Sequence, residues 1–399
     1  LDTSTARLRD AQQRGQPEAL EIACRAWRQV RRDAPADAVL QLDWQANVAG
    51  SLLWLRRSAE AQPLFEAVFA GYQAVGPAQG AKAGTVAGAL AVILQQRAQP
   101  GPALQWSQRA VDALAAASDG VTASDRLRVR INHATLLSAQ RRFDEASTSF
   151  SGLLADAQAE PGVLDAEAAT ALGGLAIVAR RQSRFDEALA LTEREITWRQ
   201  ARVPQDTVNL VNALQNRGVL LSSLARHAEA EVALQAALAQ ALQAEAAGGV
   251  DLFGHLAALR DSLSALLLAR GQPEAARRMA ADAVQRMAAL PEARSPRGAR
   301  PLRRLAEAQL ALGDLADGMG SYQQALALLA AGSGPADADT LQAVRLGHAR
   351  ALLELGDLDE AAAMLRQVAA DPRPLSPDET ARVQALQARS EERRVGKEC

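Results

Sequence analysis

Residues 184–188 read Arg-Phe-Asp-Glu-Ala, and related five-residue stretches recur along the whole chain. The pattern begins with a small or basic residue and ends in Glu-Ala, with Phe, Pro or Leu and an acidic residue between them in several copies, and two copies are degenerate. The nine copies end at Ala19, Ala61, Ala103, Ala146, Ala188, Ala230, Ala275, Gly318 and Ala361. Their spacing of 42 to 45 residues indicates one tandem repeat array rather than several unrelated domains.

A second repeated position lies twelve residues before each of the last eight end points. It holds Ala or Gly in seven copies, and the set is Ala49, Ala91, Ala134, Ala176, Gly218, Leu263, Ala306 and Ala349. Around it, apolar residues recur three and four apart, as in Leu172, Leu175 and Ala179, which is typical of an amphipathic helix. Each repeat is therefore predicted to be two helices joined by a tight turn, with a small residue where helices cross at about 8–10 Å.

This pattern resembles the tetratricopeptide repeat. The positions that carry the resemblance are Leu175, Ala176, Phe185 and Ala188, and again Leu305, Ala306, Tyr322 and Ala325. The period is longer than the ordinary 34 residues and is similar to that of kinesin light chains and many bacterial signalling proteins. The resemblance implies an all-α fold, a right-handed α-solenoid superhelix of about nine helix-turn-helix repeats. Arg7, Leu263 and Gly318 depart from the pattern, so repeats one, seven and eight match it least.

Four segments are expected along the chain. Residues 1–35 form a first, atypical or truncated repeat, and residues 36–375 form the tandem repeats. Residues 376–388 are predicted to be the first helix of a further, truncated repeat. Residues 389–399 read RSEERRVGKEC, which resembles the translation of a sequencing adapter, so we expect them not to be native.

Composition and charge exclude several classes of function. The chain has 44 basic and 46 acidic side chains and a formal net charge of −2, which argues against a nucleic-acid partner. No stretch approaches the roughly 18 apolar residues that cross a bilayer, so no membrane segment is expected and we expect a cytoplasmic location. Apart from Cys399 in the final segment, Cys24 is the only cysteine, which excludes an intrachain disulfide or a cysteine zinc site.

Motifs that carry chemistry are missing from the sequence, so we expect neither an enzyme nor a cofactor. The four histidines, His133, His227, His255 and His348, lie far apart in the array and are expected to be structural rather than metal ligands. One acidic residue recurs at the start of each second helix, where the helix dipole favours negative charge. These residues are Glu18, Glu60, Glu145, Glu187, Glu229, Glu274 and Glu360.

Asparagines on the first helices are candidates for binding. In the family that the chain resembles, the first helices line a concave groove, and asparagine there often bonds the backbone of an extended peptide. Asn47, Asn132 and Asn216 lie two residues before the small position, and Asn212 lies one turn earlier. An amide both donates and accepts hydrogen bonds, which suits a peptide backbone. The alternative is that each amide caps or bridges neighbouring helices.

Trp54 and several arginines complete the candidate set. Trp54 is the best aromatic anchor, because buried Trp commonly dominates interface energy, although packing between repeats is the alternative. Arginines that project from first helices can hold carboxylates or phosphates, or can simply be solvated. They are Arg180, Arg181, Arg260, Arg303 and Arg304, and Arg294, Arg297 and Arg300 precede the last two of these. The predicted peptide-binding residues are Asn47, Trp54, Asn132, Arg180, Asn212, Asn216, Arg260 and Arg303.

The sequence thus predicts a non-enzymatic scaffold that binds a peptide or protein segment in its groove, as part of a larger bacterial signalling or regulatory protein. One alternative is the regulatory arm of an enzyme of the kinase or cyclase class, whose catalytic domain lies outside this sequence. Another is a structural array that associates with itself.

Overall fold

The structure is a computed structural model. It describes residues 2–13, 18–55, 57–97, 99–117, 120–159, 164–201, 206–248, 252–288, 298–330, 335–371 and 377–398. Within these ranges the chain forms nineteen α-helices and one short 3-10 helix, and it contains no β-strand. The chain divides into two compact units, residues 1–182 and residues 183–399.

Unit 1 contains four consecutive helix pairs and a ninth helix. Its helices are α1 (Asp2–Gln13), α2 (Glu18–Asp33), α3 (Ala38–Trp54), α4 (Ser58–Val75), α5 (Gly80–Gln96), α6 (Pro100–Ala116), α7 (Ala123–Ala139), α8 (Phe143–Gln158) and α9 (Asp165–Arg181). The 3-10 helix, Pro77–Gln79, connects α4 to α5.

Unit 2 begins with a second helix, continues with four helix pairs and ends with α19. Its helices are α10 (Phe185–Gln200), α11 (Thr207–Ser223), α12 (His227–Ala246), α13 (Phe253–Ala269), α14 (Pro273–Ala288), α15 (Ala299–Ala311), α16 (Leu315–Ala330), α17 (Pro335–Leu355), α18 (Leu358–Ala369) and α19 (Pro377–Glu398). Odd-numbered helices are the first helices of the repeats and even-numbered helices are the second.

The turn between the two helices of a repeat has the same backbone in both units. In six of these turns one described residue has a left-handed conformation: Arg141, Ser183, Ala225, Gly271, Gly313 and Gly356, with φ between 58° and 85°. The next N–H then bonds back into the first helix, as Arg142 N to Leu137 O at 3.0 Å and Arg226 N to Leu221 O at 2.9 Å. This bond satisfies a carbonyl that the helix end would leave free, so the turn ends the first helix at a fixed place.

The left-handed residues also correct the register of the seventh repeat. In the other turns the left-handed residue lies five positions before the buried end alanine, as Ser183 lies before Ala188. Counting from Gly271 gives Ala276, which is fully buried, and not Ala275. The small position of this repeat is then Ser264 rather than Leu263.

Ser264 behaves as a residue at a helix crossing. It is fully buried, and its Oγ donates to Ala276 O at 2.9 Å. Leu263 appeared to depart from the repeat because the turn pattern was matched to Ala275 instead of Ala276. This placed the small position one residue too early.

Small residues set the distance between helices in each unit. Ala49, Ala134, Ala306 and Ala349 are fully buried, as are the alanines that begin most second helices. A Cβ built on Gly174 would lie 2.4 Å from the ring of Phe150. Any residue other than glycine at position 174 would therefore prevent α9 from packing this closely against α8. Each second helix also packs against the next first helix, as α4 does against α5 and α12 against α13.

The all-α fold class is thereby confirmed, and each unit taken by itself is a helical repeat solenoid. Helix α19 includes the segment predicted to open a further repeat and continues to Glu398. The residue that precedes it, Ser376, lies outside the described residues. The four expected segments remain predictions.

Candidate peptide-binding faces

The predicted asparagines and Trp54 lie on one side of their first helices. In α3, Asn47, Gly50 and Trp54 follow at spacings of three and four, which places them on one side of the helix. A Cβ built on Gly50 or Gly88 would meet no atom within 4 Å outside its own helix, so no neighbouring helix covers this side. We call it the open face and describe it separately in each unit.

The asparagine side chains on the open faces have no partners among the described residues. Asn47, Asn212 and Asn216 are half-buried and Asn132 is exposed. Ser51 donates to the backbone oxygen of Asn47 at 2.9 Å, but none of the four amide groups makes a hydrogen bond within the described chain. The alternative in which these amides cap or bridge helices thus has no hydrogen bond to support it.

An open depression of about 70 Å³ lies beside Asn132. Its floor and walls come from α5, α6 and α7, and include Gly88, Val92, Ser107 and Thr135. The lining is small and mostly apolar, and it carries no charged residue. Such a depression can accept an apolar side chain while the Asn132 amide stays available for a backbone group.

Trp54 is 62% exposed, at the end of α3. It therefore does not pack between repeats, which was the alternative to an anchoring role. Ile177 on α9 is also exposed. The open face of unit 1 thus presents large apolar side chains at both of these helices.

Arg180 does not fit the prediction well, because it already interacts with another residue of the protein.

The negative charge of Asp43, at the edge of the open face of unit 1, is neutralised within the protein. Asp43 accepts hydrogen bonds from Tyr72 Oη at 2.6 Å and Lys82 Nζ at 2.7 Å, which joins α3 to α4 and α5. Burial and the Asp43 carboxylate raise the pKa of Tyr72.

Of the predicted binding residues, Arg260 is the one whose environment agrees least with a binding role. Its side chain is buried, with the residue only 9% exposed, and it pairs with Asp282 on α14. It also donates from Nη1 to Leu256 O at 3.3 Å. A guanidinium that is enclosed and paired in this way holds α13 against α14 and is not free to bind a ligand.

Arg303 lies in a cluster of charges on the open face of unit 2. Arg303 and Arg304 both donate to Glu307, at 2.6 and 2.9 Å. Arg304 Nε also lies 3.6 Å from Asp261 Oδ1 on α13. Burial raises the pKa of the Asp261 carboxyl, an effect that Arg304 and Arg303 oppose. Burial lowers the pKa of Arg303, whereas Glu307 and Asp261 outweigh burial and raise the pKa of Arg304.

Two ion-pair systems were missed in the sequence. Arg199 is buried on α10 and pairs with Glu195 at 2.8 Å, and burial raises the pKa of Glu195. Arg199 also reaches Asp206 at 3.2 Å, so the pair fixes the start of α11. The spacing of four residues between Glu195 and Arg199 was a signal for the first of these contacts.

The second missed system involves four of the seven recurring acidic residues. At four turns the arginine before the second helix pairs with the glutamate three residues later, at 2.5 to 2.7 Å: Arg57–Glu60, Arg142–Glu145, Arg184–Glu187 and Arg226–Glu229. Hydrogen bonding to the arginine lowers the pKa of Glu60, Glu145 and Glu229. Each of these four turns has one such pair, and each pair is largely exposed. The four glutamates therefore have a structural role.

The histidines lie apart from one another. His133 Nδ1 is 2.8 Å from Ser107 Oγ, and burial lowers its pKa. Burial also lowers the pKa of His348, whose two ring nitrogens are buried without a hydrogen bond. Among the described residues no three His, Cys, Asp or Glu side chains are placed to hold a metal ion. In the same residues no helix has the length and apolar character to cross a membrane.

A family model identifies part of this array. Residues 125–201, which include α7 to α10, match the model of the tetratricopeptide repeat. Over these residues the match confirms the resemblance to the tetratricopeptide repeat that the sequence indicates. No protein of curated function matches it in sequence.

Three solved structures illustrate which folds are similar. A tetratricopeptide repeat protein from Parabacteroides merdae is 14% identical with a TM-score of 0.53, over 77% of this chain and 98% of that one. A Rap protein complexed with competence and sporulation factor is 13% identical with a TM-score of 0.58, over 96% and 99%. Aspartyl phosphate phosphatase F from Bacillus subtilis is 11% identical with a TM-score of 0.57, over 92% of each chain. At such identities the likeness concerns the fold alone.

Proposed function

We propose that this protein is a non-enzymatic interaction scaffold that binds an extended peptide or protein segment on the open faces of its first helices. The observation that carries the proposal is the set of asparagine amides on these faces, which have no partner within the described chain. A peptide backbone offers both the donor and the acceptor that such an amide needs.

Other features of the open face in unit 1 support the same role. The exposed indole of Trp54 supplies a large contact area, and the depression beside Asn132 accepts an apolar side chain. A Rap protein of similar fold is complexed with competence and sporulation factor, which supports a binding role for a helical array of this kind. We propose a comparable place for this chain in a larger bacterial signalling or regulatory protein.

The test uses peptides selected on the purified full chain from a random display library. Recovered peptides are labelled with fluorescein, and their affinities are measured by anisotropy for the wild type and for an Asn47→Ala, Asn132→Ala double variant. Loss of two backbone hydrogen bonds should weaken binding by roughly tenfold. A second double variant, Asn212→Ala with Asn216→Ala, examines unit 2 in the same way.

The matched control is Gln108→Ala, which removes an exposed amide from the second helix α6. It should leave affinity unchanged, and circular dichroism should show equal helicity in all variants. If no peptide is enriched, or if both asparagine variants bind every peptide as tightly as the control, the proposal is wrong.

A further inference from the structure

The connection between α4 and α5 forms one wall of a pocket in unit 1. Gly76 has a positive φ of 126°, and the 3-10 helix Pro77–Gln79 follows it. Together with α6 this segment borders an open pocket of about 670 Å³, a volume in the range of small-molecule sites. The pocket shares no lining residue with the depression beside Asn132. It is therefore a feature separate from the open face.

The floor of the pocket is apolar and ordered. Phe69 and Tyr72 of α4 and Ala83 of α5 line it, and each is at most 7% exposed. Tyr72 Oη donates to Asp43 at 2.6 Å, so its hydroxyl needs no ligand and its ring keeps one orientation. Such a floor can receive an apolar group of a ligand without rearrangement.

Two charged residues of opposite sign line the pocket, and both come from α6. They are Arg109 and Asp112, which lie three positions apart and therefore on one side of the helix. Neither forms an ion pair with another described residue. The pocket thus offers one group that can bind an anion and one that can bind a cation.

Both charged groups are oriented by their neighbours. Arg109 Cζ lies 4.5 Å from the centre of the Trp106 ring, and Trp106 packs edge-on against Phe69 with ring centres 4.9 Å apart. A guanidinium held over a ring by its charge keeps N–H donors for a carboxylate. Asp112 Oδ1 accepts from Gln108 Nε2 at 2.8 Å, which leaves the other carboxylate oxygen for a cation.

The fold does not require this pair of charges. Asp112 lies nine residues after Ala103, where the turn pattern of its repeat ends. With Ala276 as the end point of the seventh repeat, the same position holds no acidic residue in the other copies: it is occupied by Arg28, Ala70, Ala155, Thr197, Ala239, Gln285, Ala327 and Ala370. The carboxylate therefore distinguishes this pocket and has no part in the stacking of the repeats.

We infer that the pocket binds a free α-amino acid with an apolar side chain, whose carboxylate contacts Arg109, whose ammonium contacts Asp112 and whose side chain lies on the apolar floor. Asp112 repels a simple anion and Arg109 repels a simple cation, so a ligand that carries both charges on one carbon is favoured over either. The site includes none of the asparagines of the open faces, so the inference does not depend on the proposed function.

The test is isothermal titration calorimetry of the purified full chain with L-leucine, L-methionine and L-phenylalanine. We expect at least one of them to bind with a dissociation constant below about 1 mM. For the tightest of the three, the analogues without the ammonium or without the carboxylate should each bind about tenfold or more weakly. For leucine these analogues are isocaproate and isoamylamine.

Arg109→Gln and Asp112→Asn are the decisive variants, because each removes one charge without breaking an ion pair. Each should weaken binding of the amino acid about tenfold or more. The matched control is Arg194→Gln on α10, an exposed arginine that lies six residues after the end of its turn pattern, as Arg109 does. It should leave the affinity unchanged. Circular dichroism and the melting temperature confirm that all three variants fold.

A second pair of variants tests the pocket itself. Ala113 lines the pocket, whereas Ala115 is exposed on α6 and does not line it. Ala113→Leu should therefore abolish binding of the amino acid, and Ala115→Leu should leave it unchanged.

The inference is wrong if none of the three amino acids binds at concentrations up to about 10 mM. Equal affinities of the amino acid and its analogue without the ammonium would also overturn it, because the site would then take simple anions. If Arg109→Gln and Asp112→Asn bind as tightly as Arg194→Gln, the amino acid binds elsewhere and the inference fails. None of these results bears on the proposed function, which the peptides and the asparagine variants test.

Discussion

The first helices of the two units have the same backbone, but α5 of unit 1 and α15 of unit 2 carry different side chains on their open faces. Along the middle of the first helices, unit 1 presents Gly50, Gly88, Val92 and Ile177, which are uncharged. The corresponding part of α15 in unit 2 presents Arg303, Arg304 and Glu307, which are charged. The buried repeat positions therefore set the fold, while the exposed positions between them decide what each face can bind.

Removing Glu307 should produce the largest effect on stability. Glu307→Ala leaves Arg303 and Arg304 without their shared carboxylate in a partly buried site, which should cost about 2 kcal/mol. Thermal melting followed by circular dichroism measures this change. Glu60→Ala, which removes an exposed partner of Arg57, is the control and should have no measurable effect. Equal effects of the two changes would show that the charges of unit 2 are ordinary surface pairs.

Overpacking the small position should cost the same in both units. Ala134→Leu in unit 1 and Ala306→Leu in unit 2 each insert a larger side chain at a fully buried site, for about 1–3 kcal/mol. Urea denaturation followed by circular dichroism compares the two variants. If either variant is as stable as the wild type, the helices do not cross closely at that position. The two units would then differ in how their helices pack.

The smallest expected effect is a gain of stability on the open face of unit 1. Gly88→Ala adds a Cβ into open space in the middle of α5, which should stabilise the protein by roughly 0.5–1 kcal/mol. Gly174→Ala is the matched control, because its Cβ would overlap the ring of Phe150, and it should destabilise. Melting temperatures measure both. A loss of stability in Gly88→Ala would mean that this face is covered and is not a binding surface.

Much of the fold was predictable because its main determinants recur. A small residue and a turn pattern that appear once in each repeat are visible in the sequence, and they predict paired helices without any knowledge of distant contacts. The register of the seventh repeat was not predictable, since the turn pattern matches Glu274-Ala275 and thus ends one residue before the buried Ala276. Only the backbone conformation at Gly271 distinguishes them.

Less of the candidate site was predictable, because the availability of a side chain depends on its neighbours in space. Asn132 and Arg260 were both assigned to first helices correctly, yet one amide is free and the other side chain is enclosed with Asp282. The arginine and its aspartate are 22 residues apart in sequence, and nothing in that spacing indicates a contact. The pairing arises from the packing of α13 against α14.

The left-handed turns show which positions of a repeat can change in sequence while the backbone stays the same. Three of the turns place Arg141, Ser183 and Ala225 in a conformation that glycine adopts at less cost, and three others have glycine there. The copies have thus diverged in the residue while keeping the conformation. Because the backbone bond that follows the turn needs no particular side chain, descendants of one ancestral repeat are free to exchange residues at this point. Their surfaces can then specialise without any change in the way that the helices stack.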